Sequence, residues 1–262
     1  MSSGTEDSLL TPEETTWWES EVVAPLGRSP VALPPLHNAP SGMPLEFERG
    51  VPALPPVTQE RIKALRLKRA FDLLVSVGAL VALLPLAVCI GLAIMLTDPG
   101  PIFFRQERVG LAGKPFRIFK FRTMRLAEGD DSGVRQTVEG DPRVTPLGNF
   151  LRRKSLDELP QLLNVVRGEM SLVGPRPHVA GQLAARRPYA EVVPYYDRRH
   201  AMPPGLTGWA QVNGYRGPTD TVERAKGRVD HDLAYIQNFT LLLDLKIILK
   251  TVHRELTRGS GF

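Results

Sequence analysis

Residues 155–177 read SLDELPQLLNVVRGEMSLVGPRP, and this segment decides the fold and the chemistry of the chain. Two adjacent carboxylates, Asp157 and Glu158, stand shortly before Pro160. Proline is tolerated in a helix only within about its first turn, so the helix over the following apolar residues is predicted to start near Asp157. Both carboxylates then lie at the positive end of the helix dipole, which suits an anion or a carboxylate that must carry a phosphoryl group.

The same residues also allow a purely structural interpretation. Ser155 and Glu158 have the spacing of a capping box, and Asp157 would then be a favourable acid in the first helical turn. The segment closes with Arg176 between two prolines. An arginine held in this way can contact phosphate through two parallel hydrogen bonds, and the alternative is a solvated or ion-paired side chain.

The composition allows one catalytic domain with additional segments. The 262 residues are 42% hydrophobic, which permits a sizeable core. A single cysteine, Cys89, excludes a disulfide framework and a cysteine-rich metal site, and the five histidines lack metal-ligand spacing. The net charge is +5, but residues 1–58 hold eight acids and two bases, so the remainder carries +11. A basic body suits a phosphate-rich substrate, an anionic membrane surface or nucleic acid.

Three segments follow from the distribution of proline, charge and apolar residues. Residues 1–57 are acidic and proline-rich and are predicted to be a disordered extension. Residues 58–98 are predicted to form a basic helix and a membrane helix, with Thr58 as the N-cap. Residues 99–262 are predicted to form the catalytic domain.

The apolar run over residues 73–96 contains 24 uncharged residues with Pro85 near its middle. As a straight helix it would span about 36 Å, enough to cross a hydrocarbon core of about 30 Å. Basic residues flank it on both sides, five of them within residues 61–69, so neither flank is favoured as the only cytoplasmic one. We therefore predict a re-entrant helix-break-helix at Pro85, with both flanks on the cytoplasmic face.

The remaining pattern predicts a helix-rich α+β domain with a short β-ribbon. Residues 102–108 and 116–124 have the character of two strands, which would place Lys120 and Arg122 beside the carboxylates. Residues 178–187 are predicted to be helical. Residues 238–255 form an amphipathic helix whose apolar stripe is either a core face or a membrane-surface face.

These motifs, in this order, resemble the bacterial sugar transferases, the monotopic phosphoglycosyl transferases that start polysaccharide assembly on a polyprenyl phosphate. The resemblance rests on the Asp157-Glu158 pair, on Lys120-Phe121-Arg122 upstream and on Arg176 between its prolines. It covers residues 66–256 and includes the segments RQERVG and GLTG at residues 105–110 and 205–208.

The resemblance implies a function and a role for each residue. Asp157 would be the nucleophile, Glu158 its partner that helps to place Mg²⁺ or assists proton transfer, and Arg176 the holder of the substrate phosphates. The implied reaction moves hexose-1-phosphate of the glucose or galactose type from a UDP-sugar to undecaprenyl phosphate and releases UMP, through a covalent aspartyl intermediate. It would initiate the synthesis of exopolysaccharide or another surface glycan at the inner membrane of a bacterium, with the catalytic domain on the cytoplasmic face and in contact with lipid.

The residue types agree with that chemistry. Asp157 and Glu158 are hard oxygen ligands of the kind that Mg²⁺ prefers. The candidate phosphate contacts are Lys120, Arg122, Arg152 and Arg176. The alternative is a non-enzymatic membrane-anchored basic domain that binds anionic lipid or nucleic acid, but the chain contains no recognisable nucleic-acid module, so we expect no nucleic-acid partner.

Overall fold

A computed structural model describes residues 43–126 and 140–257 as a helix-rich α+β arrangement. The elements in chain order are β1 (Phe47–Glu48), β2 (Val51–Pro52), α1 (Gln59–Thr97), β3 (Phe103–Val109), β4 (Pro115–Phe121), α2 (Pro146–Arg153), α3 (Leu162–Arg167), β5 (Ser171–Val173), β6 (Leu183–Ala184), β7 (Arg187–Pro188), α4 (Tyr189–Val192), β8 (Gly205–Thr207), α5 (Trp209–Val212), α6 (Val222–Asn238) and α7 (Leu241–Thr257). Short 3-10 helices lie at Leu111–Gly113, Leu156–Gln161 and Tyr196–Ala201.

Helix α1 runs without interruption for 39 residues. Its predicted N-cap is confirmed, because the Thr58 hydroxyl accepts a hydrogen bond from the Arg61 N–H at 3.2 Å. Pro85 lies inside the helix, so the predicted helix-break-helix is wrong for the backbone. A proline removes only one helical hydrogen bond, and apolar packing on both sides of Pro85 holds the helix together. The membrane topology stays a prediction.

The two faces of α1 differ in what they contact. One face is buried against the rest of the protein in two stretches, at the helical period over residues 62–76 and again over residues 90–94. The residues of this buried face are Ile62, Leu65, Lys68, Asp72, Ser76, Ile90, Gly91 and Ile94. The opposite face exposes large apolar side chains, among them Leu74, Val81, Leu84, Val88, Leu92 and Leu96. Among the described residues this helix alone is long and apolar enough to cross a membrane.

Strands β3 and β4 form the predicted β-ribbon. They pair antiparallel from Phe103 opposite Phe121 to Val109 opposite Pro115. The ribbon leads the chain from the end of α1 to the segment that holds the carboxylates. It thereby places Lys120 next to them, as the sequence predicts.

The core surrounds a short parallel pair of strands, β5 and β8. Helix α6 supplies its most deeply buried side chains, because one apolar face of that helix packs inward. The fully buried members of the core are Val165, Val173, Ala225, Val229, Leu233, Ala234, Ile236 and Ile247. The amphipathic helix predicted over residues 238–255 is present as α7.

Two local predictions need correction. Residues 43–57 are not disordered, because Met43 and Val51 are buried in the core; residues 1–42 of the predicted extension lie outside the described part of the chain. Residues 178–187 are not helical and contain the hairpin of β6 and β7. Ala185 and Arg186 both have positive φ, 48° and 63°, which is the geometry of a two-residue hairpin turn.

Candidate active site

Asp157 and Glu158 lie on the 3-10 helix that precedes α3. Ser155, which introduces this turn, has a left-handed backbone with φ of 53°, and its side chain makes no capping hydrogen bond. The capping-box interpretation is therefore wrong. The predicted helical start near Asp157 is confirmed, but the first turn is of the 3-10 type and the α-helix begins at Leu162.

Two cations, Lys120 and Arg176, bind Glu158 and between them contact both of its carboxylate oxygens. Lys120 Nζ lies 2.7 Å from Glu158 Oε1, and Arg176 Nη2 lies 2.8 Å from the same atom. Arg176 Nη1 also donates to Glu158 Oε2 at 3.4 Å. Arg176 is thus ion-paired with a carboxylate through both of its terminal nitrogens, which is the structural alternative given above. Its contact with a substrate phosphate, which would compete with Glu158 for the same donors, stays a prediction.

Asp157 is less engaged than its neighbour, although it is only 6% exposed. Its Oδ2 lies 3.9 Å from Lys120 Nζ, which is an ion pair without a hydrogen bond. No hydrogen bond to the Asp157 carboxylate is present within the part of the chain that the structure describes. Its lone pairs are therefore free for bond formation or for a metal ion.

The environment moves the pKa values of the two carboxyls in opposite directions. Burial raises the pKa of Asp157, and the adjacent negative charge of Glu158 adds to the increase, although Lys120 partly offsets it. Burial also acts to raise the pKa of Glu158, but the charges of Arg176 and Lys120 outweigh it and hold that pKa well below its usual range. Two neighbouring carboxyls with separated pKa values can take different roles in one reaction.

The buried ion pair of Arg199 and Asp232, which the sequence does not reveal, holds the backbone of Arg176 in place. Arg199 Nη2 donates to the Arg176 carbonyl at 2.7 Å and to Asp232 Oδ2 at 2.6 Å. Arg199 and Asp232 are 1% and 2% exposed. They fix the backbone at Arg176, while the flanking prolines restrict its φ and ψ, so the guanidinium is directed toward Glu158.

The glycines of the GPRP and GLTG segments allow β5 and β8 to approach closely. A Cβ atom on Gly174 would lie 2.4 Å from the Pro203 carbonyl oxygen, and one on Gly205 would lie 2.1 Å from the Gly174 nitrogen. A Cβ on Gly208 would lie 2.3 Å from the Gly174 carbonyl oxygen. Only glycine therefore fits at these three positions, and the close approach places Arg176 directly after β5.

The other predicted phosphate contacts lie at different places. Arg152 donates from Nε to the Thr123 hydroxyl at 2.8 Å; burial lowers its pKa, and the charge of Asp157 partly offsets that. Arg122 instead binds Asp98 at the end of α1, with Nη1 3.2 Å from Asp98 Oδ2. The structure thus groups Lys120 and Arg176 around Glu158, and it gives Arg122 an ion pair that joins the end of α1 to the segment after β4.

A further group at the dyad was missed at the sequence level. The Ser155 hydroxyl donates to Glu255 Oε2 at 2.9 Å, and Arg216 Nη1 lies 2.5 Å from Glu255 Oε1. Arg216 also donates from Nη2 to Ser155 Oγ at 2.8 Å. This triad connects the left-handed residue before the dyad to the C-terminal part of α7.

The dyad fits a metal that is shared with a substrate. No group of three or more His, Cys, Asp or Glu side chains with metal-binding geometry occurs in residues 43–126 and 140–257. Mg²⁺ in phosphoryl-transfer sites is commonly held by one or two carboxylates and completed by substrate phosphates and water. The free oxygens of Asp157, next to Glu158, are of this kind.

Comparison with known proteins agrees with this geometry. The family described as bacterial sugar transferase matches residues 63–258. An exopolysaccharide production protein, PSS, of Rhizobium leguminosarum bv. phaseoli is 52% identical over 196 residues, which cover 75% of this chain and 98% of that protein.

Further relatives carry the name UDP-glucose:undecaprenyl-phosphate glucose-1-phosphate transferase. The protein of Caulobacter vibrioides is 44% identical over 94% of this chain and 89% of its own length. The protein of Escherichia coli is 46% identical over 83% of this chain but only 46% of its own length, so the chain spans less than half of that relative. From the extent of the family match and the order of the motifs in it, the chain belongs to the bacterial sugar transferase family.

Proposed function

We propose that this protein transfers hexose-1-phosphate, of the glucose or galactose type, from a UDP-sugar to undecaprenyl phosphate and releases UMP. The observation that carries the proposal is the division of the dyad: Glu158 is bound by two cations, whereas Asp157 keeps its oxygens free of hydrogen bonds among the described residues. The names of the relatives support the substrates. The reaction would initiate exopolysaccharide synthesis at the cytoplasmic face of the inner membrane.

In the first step an Asp157 oxygen attacks the sugar-bearing β-phosphorus of the UDP-sugar. The bond from this phosphorus to the oxygen that bridges it to the α-phosphate breaks, and UMP leaves with the electron pair. The product is an acyl phosphate that joins Asp157 to hexose-1-phosphate. Lys120 and Arg176 are positioned to neutralise the negative charge of the diphosphate, which the two carboxylates would otherwise repel.

In the second step a phosphate oxygen of undecaprenyl phosphate attacks the same phosphorus. The acyl phosphate bond breaks, Asp157 regains its carboxylate, and a lipid-linked diphosphate sugar is formed. Glu158 remains ionised throughout because Arg176 and Lys120 keep its pKa low. Its constant charge keeps those two cations in place between the steps.

Asp157 and Glu158 are the residues that would hold Mg²⁺. A bound Mg²⁺ would neutralise charge on the diphosphate oxygens and on the leaving phosphate. In the two steps above, Asp157 attacks phosphorus, Lys120 and Arg176 neutralise the charge of the diphosphate, and Glu158 keeps those two cations in place.

The test is UMP release from purified membranes supplied with a panel of UDP-sugars and undecaprenyl phosphate. We expect release that requires both substrates and stops when EDTA removes divalent cations. Membranes with the Asp157→Asn variant measure background hydrolysis. Absence of UMP release with every UDP-hexose would overturn the proposal and favour the non-enzymatic anchor that binds anionic lipid. That alternative gives no reason for a buried carboxylate pair beside a fixed arginine.

A further inference from the structure

A cavity of about 280 Å³ lies beside the dyad, between α1 and α7. Glu158 lines one end of it, so the cavity is continuous with the candidate active site. Its walls are mainly aliphatic. The aliphatic wall residues are Val75, Leu159, Leu162, Leu172, Leu206, Val212, Ile248 and Val252.

Apart from the charged residues beside the dyad, the cavity offers few polar atoms to a sugar. The hydroxyls of Thr207 and Thr251 are 2.7 Å apart and bind each other. Among the buried side-chain atoms of these walls, in the part of the chain that the structure describes, only Gln211 Oε1 has no hydrogen-bond partner. A hexose carries several hydroxyls and would need more partners than this, whereas an aliphatic ligand needs none.

The polar end of the cavity coincides with the triad at the dyad. Ser155, Arg216 and Glu255 line it together with Glu158 and Arg254. An anionic head group at this end would meet guanidinium groups and would lie next to the reacting carboxylates. A ligand with a phosphate at one end and a hydrocarbon chain at the other fits this distribution.

The two helices that border the cavity also expose apolar side chains outward. On α1 these include Leu74, and on α7 they include Leu242, Leu245 and Leu249, which are 77%, 44% and 61% exposed. Exposed apolar surface of this extent indicates contact with a lipid phase. A lipid chain could therefore enter between α1 and α7 from the bilayer without crossing water.

We infer that this cavity holds the isoprene units of the acceptor nearest its phosphate, between α1 and α7. The inference rests on the proposed function and deepens it, because it assigns the lipid acceptor to a place other than that of the UDP-sugar. The cavity is near the lower limit of about 300 Å³ for ligand pockets, so it takes the start of the chain and leaves the rest in the bilayer.

The test fills the cavity with Val252→Trp and compares two reactions. Exchange of labelled UMP into UDP-sugar uses only the first step and needs no lipid, whereas transfer to undecaprenyl phosphate uses both. We expect the ratio of transfer to exchange to fall about tenfold or more, the loss expected when some two methylene groups are no longer buried. The preference for undecaprenyl phosphate over the short acceptor geranyl phosphate should fall with it.

His253→Trp is the matched control, because His253 is the exposed neighbour of Val252 on the same helix and lies outside the cavity walls. It should leave both reactions unchanged. Val252 is 51% exposed, so the tryptophan can be accommodated, and exchange activity itself reports a folded site. An unchanged ratio, or an equal loss of exchange and transfer, would overturn the inference. If the unmodified protein neither exchanges nor transfers, the proposed function fails; if it transfers and Val252→Trp does so equally well, only the assignment of the cavity fails.

Discussion

At the dyad, neighbouring carboxyls should make opposite contributions to stability. The raised pKa of Asp157 means that folding disfavours its ionised form, so at neutral pH the charge destabilises the folded state. Asp157→Asn should therefore unfold at the same or a higher temperature at pH 7. The difference should disappear as the pH falls below the ordinary range of aspartate, where the carboxyl is protonated in both states. Thermal unfolding followed by circular dichroism across pH measures this.

Glu158→Gln, in contrast to Asp157→Asn, should lower the stability of the folded state at neutral pH. Its lowered pKa contributes stability above the pKa of the unfolded chain, and this is lost as the pH falls through the folded value. The substitution leaves Lys120 and Arg176 without their carboxylate and should cost about 1–3 kcal/mol at pH 7. Asp157→Asn and Glu158→Gln should both lose activity. The trapped sugar-phosphate adduct should lie on Asp157 and should be absent from Asp157→Asn. Equal stability shifts, or an adduct on Glu158, would contradict the assigned roles.

Arg176 should not be replaceable by lysine. Lysine can keep the charge opposite Glu158, but it lacks the planar pair of donors that Arg176 presents. Arg176→Lys should lower kcat about 100-fold, the loss typical of one transition-state donor, with little change in melting temperature. Arg153→Lys, at an exposed position at the end of α2, is the control and should retain full activity. Near-normal turnover in Arg176→Lys would make Arg176 a structural residue.

The sequence reveals the candidate reacting groups better than it reveals the ion pairs that hold them in place. Adjacent carboxylates and an arginine between prolines are local patterns that are readable in a single chain. Arg199 and Asp232 are 33 residues apart and Arg216 and Glu255 are 39 apart, and tertiary packing alone brings each pair together. No local period or spacing encodes such pairs.

At the scale of the element, the basic segment before the apolar run has a different role from the one predicted. Arg61 donates to the Ile236 carbonyl at 2.9 Å, and Lys68 Nζ lies 2.5 Å from Asp244 Oδ2. Arg69 donates to carbonyls at the end of α3. These bases therefore join α1 to the domain. A topology prediction that counts flanking charges treats them instead as free surface charges. Sequence alone could not separate the two roles.

The ion pair of Lys68 and Asp244 should behave as a coupled unit. Both side chains are buried, at 3% and 0% exposure, and Tyr235 also donates to Asp244. Lys68→Met removes a cation that also lies 3.7 Å from Asp72, leaves the buried carboxylate of Asp244 without its cation, and should cost about 3–5 kcal/mol. Adding Asp244→Asn removes that charge while an acceptor for Tyr235 remains, so the double variant should be more stable than Lys68→Met. Chemical unfolding in detergent measures both, and additive losses would show that the pair is not coupled.

At the scale of the molecule, truncations should distinguish residues 43–57, which pack on the core, from residues 1–42. Removal of residues 1–42 takes away no residue of the site and should leave specific activity within a few-fold of normal. Removal of residues 1–57 also takes away Met43 and Val51 from the core and should cost about 2 kcal/mol or more. Melting temperatures of the two truncated proteins give the comparison, and equal stability would mean that residues 43–57 do not pack on the domain in solution.

Both ends of α1 are attached to the same body. Near the N-terminal end Arg61 binds the Ile236 carbonyl, and at the C-terminal end Asp98 pairs with Arg122 of the segment that follows β4. The buried face between them packs on the domain on both sides of Pro85. A helix that crossed the bilayer would carry its N-terminal flank away from the body and break the bond at Arg61. Because an unbroken helix cannot enter and leave the membrane on one side, these contacts favour a helix that lies along the membrane with both flanks on the side of the domain.

Cysteine labelling in cells tests this topology. In a background that carries Cys89→Ser, single cysteines are placed at Glu60 and Ala112, on the two flanks of the apolar run, and at exposed Arg153 near the dyad. We expect a membrane-impermeant thiol reagent to reach all three only after the inner membrane is opened, because both flanks lie on the cytoplasmic side with the domain. The cysteine at residue 153 marks that side and serves as the reference. Labelling of the cysteine at residue 60 in cells whose inner membrane is intact would show a single-pass protein, and α1 would then have to leave the domain at Arg61.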